Sequence, residues 1–180
     1  MTPFQRVSIL LVALSFGIVI NGYAAVNIQS GQYVDGEINP VGEVDQFTFT
    51  ASANETINIL AINTGSTGQP HLELYDPNGT RLFKNAFGYQ QSSLQGKLST
   101  TGTYSIRVLD YDSNETMPYR LFYERIVPPT SGAVGIASGQ YQNGEINPIG
   151  EADQYFFTAS AGSTSAASAR RAFALPSGLR

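Results

Sequence analysis

Between residues 28 and 126, apolar and polar side chains alternate at period two in one short run after another, which predicts strands with one face buried. In Gln46-Phe47-Thr48-Phe49-Thr50 the two phenylalanines share a face, and Ile57, Ile59 and Ala61 form the next one. Leu72 and Leu74 follow. Asp76-Pro77-Asn78-Gly79 then predicts a turn, because proline presets φ and glycine accepts φ > 0. Arg81-Leu82-Phe83 is the return strand of that hairpin. Leu94 and Leu98 flank a looser stretch, and Thr101-Gly102 turns the chain into Tyr104-Ser105-Ile106-Arg107-Val108. Tyr119-Arg120-Leu121-Phe122-Tyr123 closes the series. About eight strands with frequent turn signals and no convincing helix predict an all-β, antiparallel, jelly-roll-like β-sandwich.

The pattern then starts again. Ile28 to Thr56 returns as Ile136 to Thr164 with two-thirds of its positions identical, at an offset of 108 residues (Ser30 to Ser138). That period is a whole domain, far beyond a solenoid unit. The expected organisation is a sandwich over 26–127, a Pro/Gly linker over 128–135, the start of a second copy over 136–164 and a divergent tail over 165–180. The tail, SAASARRAFALPSGLR, lacks the strand pattern of residues 57–62 and is expected to be poorly ordered, with a short amphipathic helix over Ser168 to Leu175. A sandwich cannot close on its opening strands alone, since their apolar face would have no opposing sheet.

Before the first strand, Arg6 precedes an apolar run from Val7 to Ile20 and the small residues Gly22, Ala24 and Ala25. This is the build of a secretory signal peptide over 1–25, and the run is short for a membrane span of roughly 20 residues. The expected location is therefore secreted, periplasmic or cell-envelope, with no stable membrane insertion after cleavage. A net charge of −4 leaves no basic field for nucleic acid. The absence of cysteine removes disulfides, thiolate metal sites and a cysteine nucleophile together.

His71 is the only histidine, and no Gly-x-Ser-x-Gly elbow marks a serine nucleophile, so the chain reads as no enzyme. His71 itself reads as a surface or edge residue of its strand. Calcium is the metal the sequence favours, because it takes oxygen ligands from loops. Glu37, Glu43 and Asp45 cluster before a long strand, and Asp110 and Asp112 follow Val108. These five are the candidate ligands if their loops meet. The alternative is that Asp45 accepts backbone N–H groups where its strand begins. Tyrosine offers an apolar ring with a polar tip for binding. Tyr75, Tyr89 and Tyr111 are the candidate ligand surface, with Tyr33 also outward, whereas Tyr104, Tyr119 and Tyr123 fall on the inward phase.

The runs GEINPVGEVDQFTFTASANETINI, HLELYDPNGTRL, LSTTGTYSIRVLDYD and YRLFYE, in this order, resemble the bacterial pre-peptidase C-terminal domain. That family carries an opening Gly-Glu-x-Asp-x-Phe-x-Phe, a central Leu-Tyr-Asp-Pro-x-Gly, a late Gly-x-Tyr-x-Ile-x-Val and a closing Tyr-x-Leu. The chain is similar also to the collagen-binding domains of clostridial collagenases. The resemblance implies a secreted jelly-roll-like sandwich, calcium held by acidic loop residues, and surface tyrosines for the ligand. The expected function is a secreted, non-catalytic accessory or binding module that attaches to an extracellular polymer, protein fibre or polysaccharide. The alternative is a truncated or frameshifted fragment of a larger exported hydrolase, a peptidase that carried tandem copies of this domain.

Overall fold

A computed structural model describes residues 25–85, 90–145 and 153–160. The signal peptide expected over 1–25 (all but its last residue), Tyr89 and the tail over 165–180 with its helix lie outside the described residues. Among the described residues, eleven strands run in chain order: β1 Val26–Asn27, β2 Gln32–Ile38, β3 Val44–Ala51, β4 Thr56–Asn63, β5 Pro70–Tyr75, β6 Arg81–Asn85, β7 Gln91–Lys97, β8 Gly102–Asp110, β9 Met117–Val127, β10 Val134–Gly135 and β11 Tyr155–Phe156.

Strands β2 to β9 make two facing sheets ordered β2-β9-β4-β7 and β3-β8-β5-β6, and β1 lies parallel along the free edge of β3. Every other pairing within the sandwich is antiparallel. Because within the sandwich only β5 and β6 are sequential neighbours in one sheet, the chain there otherwise alternates between layers, which is the jelly-roll arrangement.

The alternating side chains meet in the middle. Phe47, Phe49, Ile57, Ile59, Leu72, Leu74, Tyr104, Ile106, Val108, Tyr119, Leu121 and Tyr123 are all buried in one core. Phe49 stacks with Tyr104 at 5.3 Å and meets Tyr123 at 4.3 Å between ring centroids. Such contacts add to the roughly 1.5–3 kcal/mol that each buried apolar side chain contributes relative to exposure. Tyr104 also donates its hydroxyl to the Thr100 carbonyl at 2.6 Å, so its polar tip is satisfied at the core's margin.

Two segments differ from the alternation reading. Residues 91–97 form a regular edge strand, with Ser92 and Leu94 buried, where a looser stretch was expected. Serine at an inward position hides the strand signal. Residues 32–38 form β2, whose inward positions are Val34, Gly36 and Ile38. Glycine breaks the apolar pattern there, yet it is required: a Cβ on Gly36 would lie 2.5 Å from the Tyr119 ring.

The pairing of residues 134–136 with 154–156 parallels that of residues 26–28 with 46–48. Val134 pairs with Tyr155 as Val26 pairs with Phe47. The Ile136 amide donates to Phe156 O at 2.9 Å, as Ile28 does to Thr48 O. Gln154 holds the segment against the end of β9, donating to the carbonyls of Arg125 and Ile126 at 3.1 and 3.2 Å.

Candidate functional site

The loops 39–43, 64–69 and 111–116 gather at one end of the sandwich, as the antiparallel registers of β3, β5 and β8 require. The acids predicted from sequence lie there, and three of them, Asp110, Asp45 and Glu43, are engaged within the protein. Asp110 is only 2% exposed. One of its oxygens accepts the Gln69 amide at 2.8 Å, and the other accepts the amides of Asn114 and Glu115 at 3.0 and 3.2 Å. Glu115 in turn accepts the Gly68 amide, which ties loop 111–116 to loop 64–69. Asn63 completes the fastening by donating to the carbonyls of Thr67 and Gly68 at 2.7 and 2.8 Å.

Asp45 lies on the inward phase of β3 and accepts the Tyr119 hydroxyl at 2.5 Å. Burial raises the Asp45 carboxyl above its ordinary range, and the Glu43 charge adds to this, against the Tyr119 hydrogen bond. The Tyr119 hydroxyl is pushed well above the usual phenol range by burial and by Asp45. Glu43 caps its own loop by accepting the Asn39 amide at 2.6 Å. Glu37 and Asp112 are exposed.

Among the described residues, no three His, Cys, Asp or Glu side chains gather to hold a metal ion. The expected calcium set of Glu37, Glu43, Asp45, Asp110 and Asp112 does not fit that role in this arrangement. Asp110 spends its oxygens on backbone N–H groups, and Asp45 points into the core's margin. The task of accepting amides, expected for Asp45, falls to Asp110.

The outward face of β5 is different in character. His71, Glu73 and Tyr75 project from it in turn, and Tyr111 lies at 5.6 Å from the His71 ring. His71 is thereby 3% exposed, buried where a surface residue was expected, while Tyr111 stays 52% exposed. Tyr75 donates its hydroxyl to Glu73 at 2.7 Å, Arg81 bonds the other Glu73 oxygen at 3.0 Å, and the Arg107 guanidinium lies 4.8 Å over the Tyr75 ring. Gln46 and Ser105 continue the polar row on the neighbouring strands, joined at 2.7 Å. Burial would raise the Glu73 carboxyl, but the hydrogen bonds from Tyr75 and Arg81 and the nearby positive charges outweigh it and hold it below its usual value.

The structure thus brings Tyr75 and Tyr111 to opposite ends of one strip along β5, about 13 Å long at the usual rise per strand residue. Tyr33 lies on the other sheet, under the Arg120 guanidinium at 4.6 Å. Glu73, Arg81 and Arg107 were not singled out from sequence. For Glu73 and Arg107 the outward phase, between Leu72 and Leu74 or between Ile106 and Val108, was the available signal.

No family model matches the chain, and no curated protein does. Among solved structures, the chain is similar to the pre-peptidase C-terminal domain of a collagenase from Bacillus anthracis, at 20% identity and a TM-score of 0.47, covering 58% of this chain and 98% of that one. It is also similar to PliG, a periplasmic inhibitor of g-type lysozyme. The Aeromonas hydrophila protein has 19% identity and a TM-score of 0.46, covering 56% of this chain and 95% of that one. The Salmonella Typhimurium protein has 16% identity and a TM-score of 0.42, covering 58% and 99%.

Proposed function

We propose that residues 26–127 are an exported, non-catalytic binding module whose outward β5 face attaches to an extended extracellular polymer, protein fibre or polysaccharide. The observation that carries this reading is the strip itself: two tyrosines 36 positions apart in sequence share one face, with the Glu73, Arg81 and Arg107 array between and beside them. An array already bonded within the free protein loses little freedom when a ligand arrives, which favours affinity. Aromatic rings with polar tips suit a repetitive chain that offers both apolar edges and hydrogen-bonding groups.

Export rests on the order of charge, apolar run and small residues over 1–25. The non-catalytic reading rests on the composition: cysteine is absent, and the single histidine is committed to a buried contact with Tyr111. The two copies of the opening segment fit a protein built from tandem modules of this kind.

The test is co-sedimentation of the purified chain with insoluble collagen, chitin and cellulose, set beside a Tyr75→Ala/Tyr111→Ala variant. Retention on one polymer, reduced at least about tenfold in the variant, a loss of about 1.4 kcal/mol, is the expected outcome. Retention on none of the three, or equal retention of parent and variant, overturns the assignment of this face.

A further inference from the structure

Three tyrosines point into the core, and a buried phenol normally finds a partner for its hydroxyl. Tyr104 donates to the Thr100 carbonyl and Tyr119 to Asp45. Tyr123 is 3% exposed, yet its hydroxyl has no hydrogen-bond partner among the described residues. Its side chain lines a cleft of about 230 Å³ that opens where the turn after β1 meets the end of β9. Ile28 and Phe49, each 1% exposed, give this cleft an apolar wall, and Ser30 and Arg125 give it a polar one. The Ser30 hydroxyl accepts the Arg125 amide at 2.7 Å, which leaves its own proton to donate. The Arg125 side chain is 34% exposed and meets Glu55 through one terminal nitrogen at 3.5 Å, while its Nε is buried with no acceptor.

We propose that this cleft, bounded by β1, β3 and β9 and separate from the outward β5 face, binds a small carboxylate carried on a compact apolar body. Tyr123, Ser30 and Arg125 each have a hydrogen to give, so the complementary ligand is an acceptor, and a carboxylate takes several donors at once. The guanidinium edge that carries Nε is the one Glu55 leaves over, and a planar carboxylate matches that fork. Burial and the Glu55 charge push the Tyr123 hydroxyl up to about 12, against the Arg125 charge, so it keeps its proton and stays a donor at neutral pH. Ile28 and Phe49 take the apolar body. Since a cavity of about 150 Å³ holds benzene, the space suits a molecule the size of benzoate. A neutral amide offers one acceptor atom where the cleft presents three donors, and a cation would face Arg125.

The test is titration of the full chain with sodium benzoate and, separately, with benzamide, followed by backbone amide chemical shifts and by thermal unfolding. Saturable shifts centred on the amides of Ser30 and Arg125, with a thermal midpoint that rises with benzoate concentration, are the expected result. Benzamide is expected to bind at least about tenfold more weakly, and Tyr123→Phe and Arg125→Gln each to weaken benzoate by about the same factor. Tyr123→Phe keeps the ring that packs on Phe49, so cooperative unfolding is retained and the loss is read on a folded chain. Absence of saturable benzoate binding overturns the proposal. So does equal affinity for benzamide, parent-like binding by Tyr123→Phe, or shifts centred on Tyr75 and Tyr111 instead.

Discussion

Asp45 and Glu73 are both half-buried carboxylates bonded to a tyrosine hydroxyl, and their proton affinities move in opposite directions. For Asp45, burial dominates, so the folded chain holds the proton more tightly than the unfolded chain. Its contribution to stability is full below its ordinary value of 3.8 and is lost as pH rises through the raised folded value. Asp45→Asn keeps an acceptor for Tyr119 without an ionisation to suppress. It should therefore raise the unfolding midpoint at pH 7 and leave it nearly unchanged near pH 3; a midpoint lowered at pH 7 would count against this account. Tyr119→Phe strands Asp45 instead, at a cost of about 1–3 kcal/mol in urea unfolding. Glu73 has the reverse sign: its contribution is present above 4.5 and disappears as pH falls through its depressed folded value. The inward phase of Tyr104, Tyr119 and Tyr123 was legible from alternation alone, but which acid met which hydroxyl was not. That pairing depends on the cross-sheet distance between β3 and β9, and a one-dimensional pattern does not carry it.

Within elements, the clearest contrast is between β3 and its repeat. Phe49 is 1% exposed and lies between Tyr104 and Tyr123, while Phe157, its equivalent 108 residues on, is half exposed. Phe49→Ala should cost about 3–5 kcal/mol in chemical denaturation of the sandwich, and Phe157→Ala less than about 0.5 kcal/mol. Equal costs would mean that the second copy has found a core of its own. Asp110→Ala frees three amides at the junction of two loops and should cost about 2–4 kcal/mol. The strands with bulky inward residues were readable in sequence because β-branched and aromatic side chains mark the buried face. Those with Ser92 or Gly36 at inward positions were not, since a small residue there serves the packing of a neighbour and leaves no apolar trace.

For the molecule as a whole, the all-β, two-layer form followed from period and turn spacing, whereas the strand order did not. Jelly-roll order arises from which edges find partners after collapse. The candidate acids share one end of the sandwich, but Asp110, Asp45 and Glu43 are each engaged by a different partner. Because Asp110 and Asp45 are already committed, millimolar calcium should leave the thermal midpoint unmoved. Binding to the native state alone would raise it, by about 2.7 kcal/mol of added stability at a hundred times the dissociation constant.

The bond from the Arg125 amide to the Ser30 hydroxyl, 2.7 Å, and the one from the Gly31 amide to the Tyr123 carbonyl, 2.9 Å, fasten the first residues of the sandwich beside its last. Polypeptide arrives and departs through a single seam. A unit with such a seam can be spliced into a host protein, or strung head to tail, without straining either neighbour, because the junction asks only that two adjacent threads be joined.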